Sequence, residues 1–575
     1  MTEFATLDWI VLGLFGLALI GIIIWVFRQK QNNSGDYFLA GRDATWIVIG
    51  ASIFASNIGS EHLIGLAGAG ASSGMAMAHW EIQGWMILIL GWVFVPFYTR
   101  SMVTTMPEFL EKRYNKESRS ILSIISLISY VLTKVAVTVY AGGLVFKEVF
   151  GIETLWGIDF FWISAIGLVL LTAVYTVVGG MKSVLYTSVL QTPILLLGSV
   201  VIVVLGLQAV GGWDEVLRIT SAVQVNEYGD SMTNLIRSNR DADFPWLGVF
   251  IGSAVIGFWY WCTDQYIVQR VLSGKNETQA RRGTIFGAYL KLTPVFLFMI
   301  PGMIAFAMAQ KGVIVNGEVF TLSSSDAAFP TLVAKLLPAG IKGLVVAGIL
   351  AALMSSLASL FNSSAMLFTI DFYKKFKPDS SEQKLLRVGR MATVVVVVLG
   401  ILWIPIMRSI GNVLYTYLQD VQSVLAPGIA AAFLLGVISS KPTPKGGMWG
   451  MIAGFIVGVI RLWAKVLYTS KAGNAGYSDV KLWASDNGIN NIFYNLFYDV
   501  NWLFFSGGML VFSILVIIVV SMFTKAAPPE QIQGLTFGSA TPEQKAATRA
   551  SWNKWDLFHS AVILSFTVLF YIYFW

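Results

Sequence analysis

The chain has 575 residues, 56% of them hydrophobic, 14% aromatic and only 12% charged, with a mean hydropathy of +0.70. Soluble domains carry about 25% charged residues, so the composition excludes a soluble protein with one anchor and points to a chain crossing a membrane many times. The net charge of +7 would suit nucleic acid, but the basic residues cluster mainly in alternate loops between apolar segments, which excludes that reading.

Fourteen apolar segments are expected to span, at 8–27, 45–69, 75–98, 120–149, 158–178, 183–207, 245–270, 283–310, 342–370, 386–408, 412–438, 446–468, 497–522 and 556–574. The start, Met1-Thr2-Glu3, lacks the basic stretch of a cleaved signal peptide, so the first segment is expected to be retained. Basic clusters follow the odd-numbered segments: Arg28 and Arg42; Arg100, Lys112 and Arg113; Lys182; Arg270, Arg281 and Arg282; Lys374 and Lys375; Lys441 and Lys445; Lys525, Lys545 and Arg549. By the positive-inside rule these loops are cytoplasmic, and both termini face out of the cell membrane. The opposite loops hold cations only sparsely, and 208–244 carries six acids against three arginines.

No soluble domain interrupts this pattern, so 1–575 reads as one all-α membrane domain. Polar interruptions near residues 57 and 260 fall in the second and seventh segments, the first members of two five-segment groups, 45–207 and 245–438. An odd number of spans per group turns the second group over relative to the first, the construction of broken-helix transporters. The segments at 8–27 and within 446–575 are then peripheral.

The second segment is broken by Ala55-Ser56-Asn57-Ile58-Gly59-Ser60-Glu61-His62. Backbone N–H and C=O groups cannot stay unpaired against lipid, so such a break must be sheltered by protein or line a cavity. In the ninth segment Ala352, Ser355 and Ser356 share a helix face by their spacing. Their two hydroxyls, with carbonyls freed between Ala55 and Ile58, would make a cage of about five neutral oxygens, which suits sodium and, lacking a carboxylate, does not suit calcium. The alternative is that both serines bond back to their own helix or pack against a neighbour.

Glu81 and Lys291 are ionisable groups inside apolar segments, where charge is costly and commonly functional; the alternative for each is an end that reaches the interface. With His62, Gln419 and Asn57 they supply the donors and acceptors a neutral polyol needs. Trp80, Tyr260, Trp261 and Tyr415 add flat apolar faces for the CH side of a sugar ring, although in a chain with 20 Trp and 20 Tyr each could equally be packing. Asp264 reads as a structural hydrogen-bonding group at a second break after Gly257, with cation binding as the alternative, and the single cysteine, Cys262, as a small buried hydrophobe that leaves no disulfide. Three histidines and the absence of a Walker A loop, an HExxH or a G-x-S-x-G exclude the familiar enzyme and ATPase sites, so no organic cofactor is expected and uphill transport would draw on an ion gradient.

At these residues the chain resembles the solute:sodium symporter family, in its sodium/glucose cotransporter branch. The resemblance rests on Ala51 to Ser60 followed by Gly65-Leu66-Ala67-Gly68, on Trp259 to Gln265, on Leu353-Met354-Ser355-Ser356-Leu357 and on Phe361-Asn362-Ser363, and it spans roughly 36–440. It implies fourteen helices around a five-plus-five inverted-repeat, LeuT-like core and alternating access. By position it implies sodium held by the carbonyls of Ala55, Ile58 and Ala352 and the hydroxyls of Ser355 and Ser356. Sugar would meet Asn57, His62, Glu81, Lys291 and Gln419, with Tyr260 and Trp261 as an inner gate and Leu66, Trp80 and Tyr415 as an outer one.

Several positions depart from the family pattern. Ser188 stands for a common aspartate and Ala358 for a hydroxyl, which implies one sodium per sugar; Gly257 replaces a sugar-contacting Thr or Asn, and Thr416 and Gln422 also differ. The outer loops carry no Asn-x-Ser/Thr acceptor and no cysteine, which favours a bacterial source. The expected activity is sodium-coupled import of a neutral hexose. The alternatives are symport of another polyol such as inositol, and a sugar sensor or sodium channel that does not concentrate its solute.

Overall fold

The computed structural model describes residues 4–28, 33–59, 61–407, 414–472 and 477–575. Residues 1–3, on which the leader argument draws, Ser60 of the break, and 412–413 at the start of the expected eleventh segment lie outside the described residues. Within them the chain is almost wholly helical, with two short hairpins pairing Thr154–Leu155 with Ile158–Asp159 and Ile314–Val315 with Glu318–Val319. Both hairpins turn through positive-φ pairs, Trp156-Gly157 and Asn316-Gly317, as tight two-residue turns matched to strand twist require.

Eleven helices among the described residues are long and apolar enough to span, and the bent pair Trp46–Asn57 and Glu61–Ser72 makes a twelfth. Two shorter apolar helices, Val137–Lys147 and Phe160–Val174, fall at two more of the fourteen expected segments. The fourth segment is helical throughout, Lys116–Ser129 passing through a wide turn, Tyr130–Val135, that carries the buried Lys134 and continuing as Ala136–Phe150. The fifth runs into the sixth as one helix, Phe160–Val210, reoriented at Gly180, whose φ of 56° and ψ of −147° suit glycine.

The degree of burial separates a centre from a periphery. The most apolar stretch of Ile341–Phe376 is 89% buried, whereas that of Thr6–Arg28 is 17% and that of Lys554–Tyr573 is 28%. The central helix Ile341–Met366 packs against Phe160–Val210 and Trp46–Asn57, and Trp46–Asn57 packs in turn against Glu277–Lys291. In lipid no hydrophobic force holds apolar helices together, so close backbone approach and dispersion must do it. The second and eighth segments meet this way on both sides of the break. A Cβ on Gly50 would lie 2.9 Å from the Gly283 carbonyl, and one on Gly302 would lie 1.9 Å from that of Ala67.

Candidate functional site

The helix Trp46–Asn57 stops where Ile58 turns extended, at φ −75° and ψ 102°. A wide turn, Glu61–Leu66, then leads into Ala67–Ser72, and the chain changes direction by 62° across the break. A helix that ends inside the bundle exposes carbonyls, which need partners. Ser356 on the unbroken helix Ile341–Met366 supplies one, its Oγ lying 3.1 Å from the Ser56 carbonyl and 3.2 Å from that of Ile58. A hydroxyl has one hydrogen and can donate to only one of the two at a time. Tyr266 also donates its hydroxyl to the Ser56 carbonyl. Ser355 Oγ lies 3.3 Å from Ser188 Oγ, and Ser188 donates to the Val184 carbonyl at 2.6 Å. Ala55 and Ala352 are buried in the same two helices. A Cβ on Gly59 would lie 2.8 Å from Ser356 Oγ, which shows how tightly the break sits on this helix.

The second break has a similar form. Trp246–Phe258 passes through a wide turn, Trp259–Thr263, to an extended Asp264, and Gln265–Leu272 continues. Asp264 caps the new helix, accepting from the Tyr266 amide at 3.2 Å, from Lys134 Nζ at 2.5 Å and from the Tyr130 hydroxyl. Lys134 Nζ also lies within 5.3 Å of the ring centroids of Tyr130, Trp259, Tyr260 and Tyr266. The structural reading of Asp264 thus matches its contacts. Lys134 was missed in the sequence, although a lysine alone in an apolar run is a signal of the same kind as Lys291.

Residues of both breaks line a small cavity of about 40 Å³ with Asn57, His62, Glu81, Lys291 and Gln419 on its wall, beside Trp80, Tyr260 and Trp261. Lys291 Nζ donates to Glu81 Oε2 at 2.6 Å and to Asn57 Oδ1 at 3.1 Å. Asn57 Nδ2 donates to the Tyr260 hydroxyl at 3.1 Å, and His62 Nε2 lies 3.2 Å from the same Glu81 oxygen. Lys291 Nζ stands 5.3 Å from the Trp261 ring centroid. This network ties the second, third, seventh and eighth segments together around one carboxylate. A buried charge needs such partners, because an unpaired one costs several kcal/mol.

The residues expected at the outer gate are distributed differently. Trp80 lines the cavity and stacks on Trp502, with ring centroids 5.6 Å apart. Leu66 is buried at the end of its wide turn but is not among the lining residues. Tyr415 falls on Leu414–Ile438, and its side chain lies outside the described ones, as does that of Thr416. Trp502, which backs Trp80 without lining the cavity, and the lining residues Glu61 and Gln83 were not singled out in the sequence; Gln422, noted there only as a departure, lines the cavity as well.

A bent, polar-interrupted helix against the hydroxyls of an unbroken one, beside a polar and aromatic cavity inside a bundle of apolar helices, defines a secondary transporter. The description of the sodium:solute symporter family matches residues 37–454, and the chain belongs to that family. It is 38% identical over 539 residues to the Homo sapiens sodium/glucose cotransporter 4, covering 90% of this chain and 76% of that one. Against the Mus musculus sodium/glucose cotransporter 4 the identity is 36% over 552 residues, with 92% and 78% covered. Against the Homo sapiens sodium/myo-inositol cotransporter it is 36% over 544 residues, with 89% and 73% covered. Among solved structures, a Na+-coupled sialic acid symporter in a substrate-bound outward-open state superposes with a TM-score of 0.71 at 21% identity, over 92% of this chain and 100% of that one, which establishes the shared fold.

Proposed function

We propose that this chain imports a neutral hexose of the glucose or galactose type together with one sodium ion, by alternating access between two inverted five-helix groups, 45–207 and 245–438, with both termini outside the cell. Sodium is held by the carbonyls of Ala55, Ile58 and Ala352 and the hydroxyls of Ser355 and Ser356. The sugar is held by Asn57, His62, Glu81, Lys291 and Gln419, and Tyr260 with Trp261 closes the inner side while Trp80, Leu66 and Tyr415 close the outer. The observation that carries this reading is the convergence of Ser356 Oγ on two carbonyls of the break. A cation among these oxygens would be met by several neutral acceptors at once, beside the Tyr266 hydroxyl that already serves the Ser56 carbonyl.

The cavity supports a polyol because its wall pairs a carboxylate fixed by lysine and histidine with aromatic faces, so hydroxyls and CH surface both find partners. Myo-inositol is the second reading, favoured by equal identity, 36%, to relatives of both substrate classes. The test is uptake of labelled D-glucose, D-galactose or myo-inositol into proteoliposomes with and without an inward sodium gradient, each competed by the others and by mannose. Accumulation abolished by a sodium ionophore is expected. Uptake that never exceeds equilibration would establish a sensor or leak instead.

A further inference from the structure

Gln83 is buried in the cavity wall two residues beyond Glu81, on the opposite side of a tight bend between Ala78–Glu81 and Gly84–Ile89. Its Nε2 donates to the Ser253 carbonyl at 3.0 Å, which fixes which end of the amide is which. Its Oε1 has no hydrogen-bond partner among the described residues, and the side chain lines the cavity beside the Glu81 and Lys291 pair. The amide also lies directly over Gly257. A Cβ built there would stand 2.4 Å from Oε1, 2.9 Å from Cδ and 3.1 Å from Nε2. The oxygen is not fully enclosed, so the anchored amide opens its free acceptor on the cavity, where a ligand hydroxyl can reach it.

We infer that Gln83 is a substrate-contacting, specificity-determining residue whose Oε1 accepts a hydrogen bond from a ring hydroxyl of the polyol, and that position 257 is glycine because the Gln83 amide fills the space a side chain there would take. This rests on the reading of the cavity as the substrate site. The contact is neutral, acceptor-only and fixed in direction. It therefore distinguishes polyols by whether one hydroxyl points at it, a task the Glu81 carboxylate, shared by Lys291 and His62, performs less selectively.

The experiment uses the full chain in proteoliposomes and whichever of D-glucose, D-galactose and myo-inositol the wild type accumulates with sodium. Gln83→Ala and the near-isosteric Gln83→Met are expected to raise the half-saturating concentration about fivefold, the worth of one neutral hydrogen bond, with the sodium dependence of uptake retained. Across the mono-deoxy analogues of that substrate, the wild type should lose affinity for each analogue lacking a contacted hydroxyl. For one analogue, wild type and both variants should become equal, because the partner hydroxyl is already gone. Gly257→Thr should impair uptake in the wild-type background and cost nothing further in Gln83→Ala. A loss of affinity that is the same for every analogue would make Gln83 merely structural and overturn the inference, as would unchanged affinity in both variants. Failure of the wild type to accumulate any of the three probes would instead overturn the reading of the cavity itself.

Discussion

Replacing Ser356 with alanine separates a sodium ligand from a helix-packing hydroxyl. In the structure the side chain is placed to satisfy one of two carbonyls, at 3.1 and 3.2 Å, and Tyr266 still donates to the Ser56 carbonyl when it is gone. The folding cost is then that of one neutral hydrogen bond, about 1 kcal/mol. A hydroxyl oxygen facing a cation is worth more, about 1.5–3 kcal/mol, which corresponds to a sodium affinity weaker by about 10- to 150-fold. Sodium and sugar binding are linked, so the half-saturating sugar concentration at fixed sodium rises as well. The assay is uptake into proteoliposomes against sodium concentration, at matched protein incorporation. Ser359→Ala is the control: its Oγ lies 2.8 Å from Ser56 Oγ one turn along, so it costs stability without moving the sodium dependence. Half-maximal sodium within twofold of wild type in a folded Ser356→Ala protein would refute the proposed site.

Glu81→Gln and Lys291→Met each leave a charge buried without its main partner, and each should lower stability by about 3–5 kcal/mol. The double variant should regain much of the thermal stability while uptake stays lost, as thermal melts and labelled-sugar uptake will show. Lys134→Met removes the cation that holds Asp264 at the second break, so alkylation of the buried Cys262 by a maleimide should accelerate relative to wild type, together with a fall in melting temperature. The orientation is checked with Glu227→Cys and Ala546→Cys, both exposed, in a chain whose native cysteine is buried. An impermeant maleimide added to intact cells should label the first and reach the second only after permeabilisation.

What could be read from the sequence and what could not divide along one physical line. A polar run inside an apolar segment violates the solvent it sits in, so the break at Asn57, the paired serines at 355 and 356, and the lone charges Glu81 and Lys291 announce themselves locally. Pairing across segments leaves no such trace. Gln83 over Gly257, Lys134 on Asp264 and Trp80 on Trp502 join residues over 80 positions apart, and each residue taken singly reads as an ordinary side chain.

Coupling on this reading needs no long pathway. Three consecutive residues link the two proposed sites: Ser56 and Ile58 present carbonyls to Ser356, and Asn57 between them bonds Lys291 and Tyr260 in the cavity wall. A cation that draws the Ala55 and Ile58 carbonyls toward the ninth segment must also set where Asn57, between them in the chain, points. Sodium then stabilises the arrangement in which the cavity is formed, and sugar in the cavity stabilises the sodium site to the same degree. One sodium entering through 100 mV and down a tenfold gradient releases roughly 3.7 kcal/mol, enough for a few-hundred-fold accumulation of a neutral solute. That ceiling holds only if neither ligand crosses alone. The Asn57 side chain is therefore where leak should appear first: Asn57→Ala keeps both carbonyls and so should keep sodium binding. It removes the bridge to Lys291 and Tyr260, so sodium entry should proceed with less sugar per ion. Simultaneous sodium and sugar fluxes measure that ratio, and a ratio unchanged from wild type would mean that the two sites communicate by another route.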